Sequence, residues 1–120
     1  MRSFSSRAEG KVRSFLGFSA AVLSVYVIGY VPNARAEDKA HTIVIEAMQF
    51  SPRQLEVSRG DTLTWVNRDP FPHNVSAVDL SFRSKEIAPN GSWKLKMAKK
   101  GRFSYICTLH PTMKASFVVK

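Results

Sequence analysis

The chain has 120 residues, 18 Lys and Arg against nine Asp and Glu, a formal net charge of +9 and one cysteine. That length allows a single small domain, and a lone cysteine excludes an internal disulfide framework. With no basic helix and no known reading motif, the chain is a poor match to a nucleic-acid binder.

The basic excess is concentrated at the N-terminus. Arg2, Arg7, Lys11 and Arg13 precede an uncharged run from Ser14 to Val31, and Ala34-Arg35-Ala36 follows before polar Glu37-Asp38-Lys39. A basic segment, an apolar segment and small residues at the cleavage positions make a secretory signal peptide over residues 1–36. The alternative is a retained membrane anchor, since the apolar run is near the lower limit for a span. Cleavage after Ala36 leaves residues 37–120 as the folded domain, with no membrane span. The leader holds five of the 18 basic and one of the nine acidic residues, so the domain carries only +5. A moderately basic surface steers toward an acidic partner or an anionic membrane face, or simply solvates exposed strand positions.

After a short polar tail, His41 to Phe50 is rich in β-branched residues and reads as one strand. His41 itself has no motif around it and reads as structural or exposed. Ser51-Pro52 breaks the strand, and Gln54 to Val57 forms a second, short one. Arg59-Gly60-Asp61 is a turn in which Gly60 can take positive φ at little cost. Thr62 to Asn67 alternates, which places Leu63 and Trp65 in the core. A Pro-punctuated loop then delivers His73 at the start of a strand running to about Val78. Phe82 to Ile87 is weakly strand-like. Pro89-Asn90-Gly91 is a turn suited to positive φ. Ser92 to Met97 sets Trp93, Leu95 and Met97 against a solvated face. Lys99-Lys100-Gly101 turns the chain into Arg102–Cys107, where Phe103, Tyr105 and Cys107 share one face. Ala115 to Val119 closes the domain. Seven to eight short strands without a helix predict an all-β Greek-key sandwich. Its core aromatics are Phe50, Trp65, Phe82, Trp93, Phe103, Tyr105 and Phe117.

Chemistry concentrates in Cys107-Thr108-Leu109-His110-Pro111-Thr112-Met113, between two strands. Cys107, His110 and Met113 are spaced so that a thiolate, an imidazole and a thioether on one loop can converge on a point. Upstream, Pro72-His73-Asn74-Val75 offers a second imidazole at His73. Two His, one Cys and one weak axial Met form the ligand set of a blue-copper electron-transfer site. Zinc is the competing metal, but zinc sites rarely use a thioether. A free thiol in an exported chain is a liability that a bound metal removes. A nucleophilic Cys107–His110 pair lacks a visible orienting acid or oxyanion device, which argues against an enzyme.

From about His41 to Lys120 the chain resembles the cupredoxins, and among them the amicyanin branch. The resemblance rests on Gly60 to Arg68, Pro72 to Val75 and Cys107 to Met113. It departs at Leu109, where Pro is common, at Thr112, where Phe is usual, and at Lys114-Ala115 in place of Arg-Gly. The resemblance implies one copper ion held by His73, Cys107, His110 and Met113. It implies that Asn74 and Thr108 tie the two ligand loops together. It further implies electron exchange through His110, ringed by Met48, Phe71, Leu109 and Pro111. The function implied is a soluble, monomeric, periplasmic single-electron carrier; copper storage or delivery is the alternative. Its partners would be redox proteins, with a periplasmic dehydrogenase as donor and a c-type cytochrome as acceptor.

Overall fold

Strict alternation along Thr62–Asn67 buries Leu63, Trp65 and Asn67 and turns the threonines and Val66 outward, and this strand becomes the spine of one sheet. A computed structural model describes residues 10, 17, 19–33 and 35–120. The chain divides into two units, Met1–Asn33 and Ala34–Lys120. In the first, the described residues 19–33 form neither helix nor strand and are exposed. The basic residues Arg2, Arg7, Lys11 and Arg13 of the expected signal peptide lie outside the described residues. No helix among the described residues is long and apolar enough to cross a membrane.

The second unit is all β. Its strands are β1 (Ala40–Glu46), β2 (Gln49–Ser51), β3 (Gln54–Val57), β4 (Thr62–Asn67), β5 (Ser76–Ala77), β6 (Ser92–Lys96), β7 (Gly101–Ile106) and β8 (Lys114–Val119). They form two four-stranded sheets, ordered β2-β1-β4-β6 and β3-β8-β7-β5. Both sheets are mixed: β1 runs parallel to β4 and β3 parallel to β8, and the other pairs are antiparallel. This is the expected sandwich.

The core lies between the sheets. Ile43, Ile45, Leu63 and Trp65 from one sheet meet Val57, Tyr105, Phe117 and Val119 from the other, all buried. Removing each such side chain from water is worth about 1.5–3 kcal/mol. Trp65 meets Tyr105 edge-on, with ring centroids 5.7 Å apart. Phe50, Trp65, Tyr105 and Phe117 are fully buried, whereas Phe82, Trp93 and Phe103 pack against the core half-exposed.

Three expectations need correction. The run His41 to Phe50 is not one strand. It folds back at Ala47 and Met48, both left-handed at φ 51° and 60°, into the β1–β2 hairpin. Neither residue favours that conformation; the backbone N–H groups of both are held by Asp69, an interaction invisible to local pattern. The strand expected from His73 to Val78 contracts to Ser76–Ala77. The segment 82–87 contributes only single bridges, Ser76 to Arg83 and His73 to Ile87. Here Ser84 is buried and its hydroxyl takes the Val75 N–H at 2.8 Å, so a side chain replaces a ladder partner. Gly60 does adopt positive φ, 99°, and its N–H bonds the Met97 carbonyl at 2.8 Å.

Candidate metal centre

The centre is assembled at the ends of β4 and β7. After β4, Asn67 anchors the Pro-rich loop: its side-chain amide donates to the carbonyls of Phe71 at 2.7 Å and Ile87 at 2.9 Å. Its Oδ1 accepts the Asp69 N–H at 3.0 Å. With the loop fixed at both ends, His73 enters the interior and is fully buried. Its backbone exchanges two hydrogen bonds with Ile87, at 3.1 and 2.7 Å.

On the other side, β7 continues its alternation into Cys107, which is fully buried. The loop beyond is closed by its own backbone. His110 N–H donates to the Cys107 carbonyl at 3.3 Å, Met113 N–H to the His110 carbonyl at 2.9 Å, and Cys107 N–H to the Met113 carbonyl at 3.2 Å. These bonds hold the three spaced residues in one tight turn. Met113 is buried and His110 half-buried. The His110 ring stands edge-on to that of His73, with centroids 5.2 Å apart.

Cys107 Sγ and His73 Nδ1 are 3.8 Å apart. Metal–thiolate and metal–imidazole bonds of roughly 2.3 and 2.0 Å, set at a trigonal angle, place sulfur and nitrogen about 3.7 Å apart. The pair fits a shared ion. Among the described residues no three His, Cys, Asp or Glu side chains gather closely enough to hold an ion by themselves. The remaining donors of the expected set are the His110 imidazole beside this pair and the buried Met113 thioether. The second His73 nitrogen is already taken: Nε2 lies 2.8 Å from Asp69 Oδ2. Burial pushes the Asp69 carboxyl up, but the Met48 N–H, the His73 ring and the Ala47 N–H outweigh it and hold it below the usual range. An ionised carboxylate only accepts, so His73 Nε2–H is the donor to Asp69, and Nδ1 is the ring atom that faces the sulfur.

The expected supporting pair is joined. Asn74 Nδ2 donates to Thr108 Oγ1 at 2.6 Å, and Thr108 N–H donates to Asn74 Oδ1 at 2.9 Å. Asn74 N–H also points at Cys107 Sγ from 3.4 Å. A donor on the sulfur withdraws charge from a thiolate. The residues expected to ring His110 are exposed: Met48 at 37%, Phe71 at 57% and Leu109 at 47%, with Pro111 also exposed.

Sequence reasoning missed Asp69 and Asn67. The one available signal was a carboxylate four residues ahead of His73 in a Pro-rich loop. Asp69 also supplies the orienting acid that the enzyme reading lacked, although behind His73 rather than His110. Cys107, His73 and Asp69 have the connectivity of a nucleophile, base and orienting acid. Cys107 and His73 are each 0% exposed, however, and no substrate can reach the sulfur.

A family model for the cupredoxin-like domain matches residues 19–119. Amicyanin of Paracoccus denitrificans is 33% identical over 96 residues, covering 74% of this chain and 73% of that protein. Plastocyanin of Scenedesmus fuscus is 32% identical over 75 residues, covering 53% of this chain and 76% of that protein. Among solved structures, the Cu(I) form of a methionine-to-alanine mutant of amicyanin matches with a TM-score of 0.64 and 33% identity, over 72% of this chain and 88% of that one. The chain thus belongs to the cupredoxin family, as a small amicyanin-like blue copper electron-transport protein.

Proposed function

We propose that the chain is a soluble periplasmic carrier of single electrons, with one copper ion held by His73, Cys107, His110 and Met113. The observation that carries this reading is the 3.8 Å approach of Cys107 Sγ to His73 Nδ1, with the far side of the imidazole tied to Asp69. A bound copper ion supplies the one-electron couple between Cu(II) and Cu(I). The protein's part is to keep its donors still. His73 is fixed by Asp69 and by Ile87, and Cys107 by the closed loop and by the Asn74 N–H. Donors that barely move suit an ion whose two oxidation states prefer different geometries. Their burial keeps water from the thiolate.

His110 is the route in and out, being the half-buried donor beside the exposed Met48, Phe71, Leu109 and Pro111. A small apolar surface suits brief redox encounters rather than permanent complexes. The amicyanin likeness favours a dehydrogenase as donor and a c-type cytochrome as acceptor. The leader-like residues 1–36 support export. The chain works as a monomer and catalyses no reaction of its own. The visible absorption spectrum of the Cu(II)-loaded protein tests the reading. An intense thiolate-to-copper band that bleaches on reduction is expected, and Cys107→Ser removes it. A loaded protein without that band refutes the reading.

A further inference from the structure

Asp69 does more than meet one imidazole. Its Oδ1 accepts the Ala47 N–H at 2.7 Å, and its Oδ2 accepts the Met48 N–H at 2.9 Å together with His73 Nε2–H at 2.8 Å. One carboxylate therefore joins the β1–β2 turn to the buried histidine. Its own backbone N–H is held by Asn67 Oδ1 at 3.0 Å. The turn is of a kind that needs holding: Ala47 and Met48 are consecutive non-glycine residues at φ 51° and 60°. Left-handed backbone costs about 1–2 kcal/mol per residue. A doubly accepting carboxylate offsets that cost. The same turn presents Met48 to solvent at 37% exposure.

We propose that Asp69 is a positioning residue of the metal centre, coupling the exposed Ala47–Met48 turn to the His73 imidazole and biasing the site toward the oxidised state. This inference rests on the reading of His73 as a metal ligand. It has two parts. First, a carboxylate behind a metal-bound imidazole makes that imidazole a stronger donor and fixes its ring orientation. The gain is larger for Cu(II), the more highly charged ion, so Asp69 lowers the reduction potential. Second, a force on Met48 shifts its own N–H, which shares Oδ2 with His73, and the neighbouring Ala47 N–H on Oδ1 of the same carboxylate. A redox partner seated on Met48 then alters the donor strength of the ligand, and a change at the ligand is felt at the turn.

The first measurement uses metal-free wild-type protein and needs no copper. ¹⁵N spectra of His73 are expected to show the Nε2–H tautomer with a slowly exchanging proton. An Nδ1–H tautomer overturns the proposal whether or not the protein binds copper. The second compares Asp69→Asn with Asp69→Glu. In Asp69→Asn, Cu(II) affinity is expected to fall about 10- to 100-fold, Cu(I) affinity by less, and the reduction potential to rise; Asp69→Glu restores part of the difference. Equal loss for both ions, with an unchanged potential, overturns the proposed bias. The third follows the Ala47 and Met48 amide resonances on Cu(I) loading. They are expected to shift in wild type and to lose that response in Asp69→Asn. Amides that ignore loading in wild type overturn the coupling. A Cu(II)-loaded wild type without the thiolate band refutes the carrier reading instead, and leaves the tautomer result standing.

Discussion

Asn74 and Thr108 exchange two hydrogen bonds across the gap between the two donor loops, at 2.6 and 2.9 Å. No backbone ladder joins those loops at this point, so this pair is the clasp. Asn74→Ala removes both bonds and leaves the Thr108 N–H without its protein partner. A loss of about 1–3 kcal/mol is expected in the denaturant midpoint of the metal-free protein. Thr108→Ala removes one of the bonds and is expected to cost less. The double variant is expected to cost less than the sum, because the two residues act on each other. Strict additivity would show that the clasp contributes nothing as a pair.

A second carboxylate works far from the donors. Asp61 is buried and accepts the Lys39 N–H at 2.9 Å, the Ser58 N–H at 3.0 Å and His41 Nε2 at 2.8 Å. The Lys39 N–H first, then the Ser58 N–H and His41, hold it down from 3.8 to about 2. Between those values the unfolded chain binds more protons than the folded one, so stability rises with pH. The contribution of Asp61 is complete above pH 3.8 and is lost as pH falls toward about 2. Denaturant midpoints across that window are expected to slope less steeply in Asp61→Asn than in wild type. Parallel slopes would remove Asp61 from the acid transition.

The third prediction concerns the core. Among the described residues, neither the buried Tyr105 hydroxyl nor the buried Trp65 indole N–H has a partner in hydrogen-bond geometry. Burial pushes the Tyr105 hydroxyl well above its ordinary value, and the adjacent Trp65 indole, too poorly aligned to count as a full hydrogen bond, opposes that shift by a smaller amount. A buried hydroxyl without a partner is a cost that removal relieves. Tyr105→Phe is therefore expected to keep or raise the thermal midpoint. Tyr105→Ala opens a cavity and is expected to cost about 3–5 kcal/mol. A marked loss in Tyr105→Phe would reveal a partner for the hydroxyl.

Export supplies the fourth. Mass spectrometry of protein recovered from the periplasm is expected to find Glu37 at the N-terminus. Recovery of the chain from Met1, in the membrane fraction, would revive the anchored alternative.

The strands with clean alternation were legible from sequence. Thr62–Asn67 buries the residues its pattern assigns, and the register pairs Leu63 with Leu95 and Trp65 with Trp93. The gathering of Cys107, His110 and Met113 into one tight turn was legible too, since three-residue spacings on a short loop between strands leave their backbones to bond one another. What local pattern could not carry was contact between distant segments. Ala47 and Met48 look like strand residues, and only Asp69, more than twenty positions away, turns them left-handed. The segment 78–87 looks partly strand-like, but side chains such as Ser84 satisfy the backbone there in place of a neighbouring strand. Asp69 itself reads as an ordinary loop carboxylate until the fold brings His73 and the hairpin to it.

The position of β8 carries a consequence for how the protein is made. This last strand lies inside its sheet, between β3 and β7, with Leu55 beside Phe117 and Tyr105 beside Ala115. It follows every other strand of the sandwich in the chain, so the second sheet cannot close until β8 has been synthesised. Pairing segments so far apart in sequence is intrinsically slow as well. The sandwich therefore stays open until β8 is available to pair. Cys107 emerges just ahead of that strand, and its burial awaits the strand's docking. A metal ion held by Cys107 would be sealed from water only after that docking.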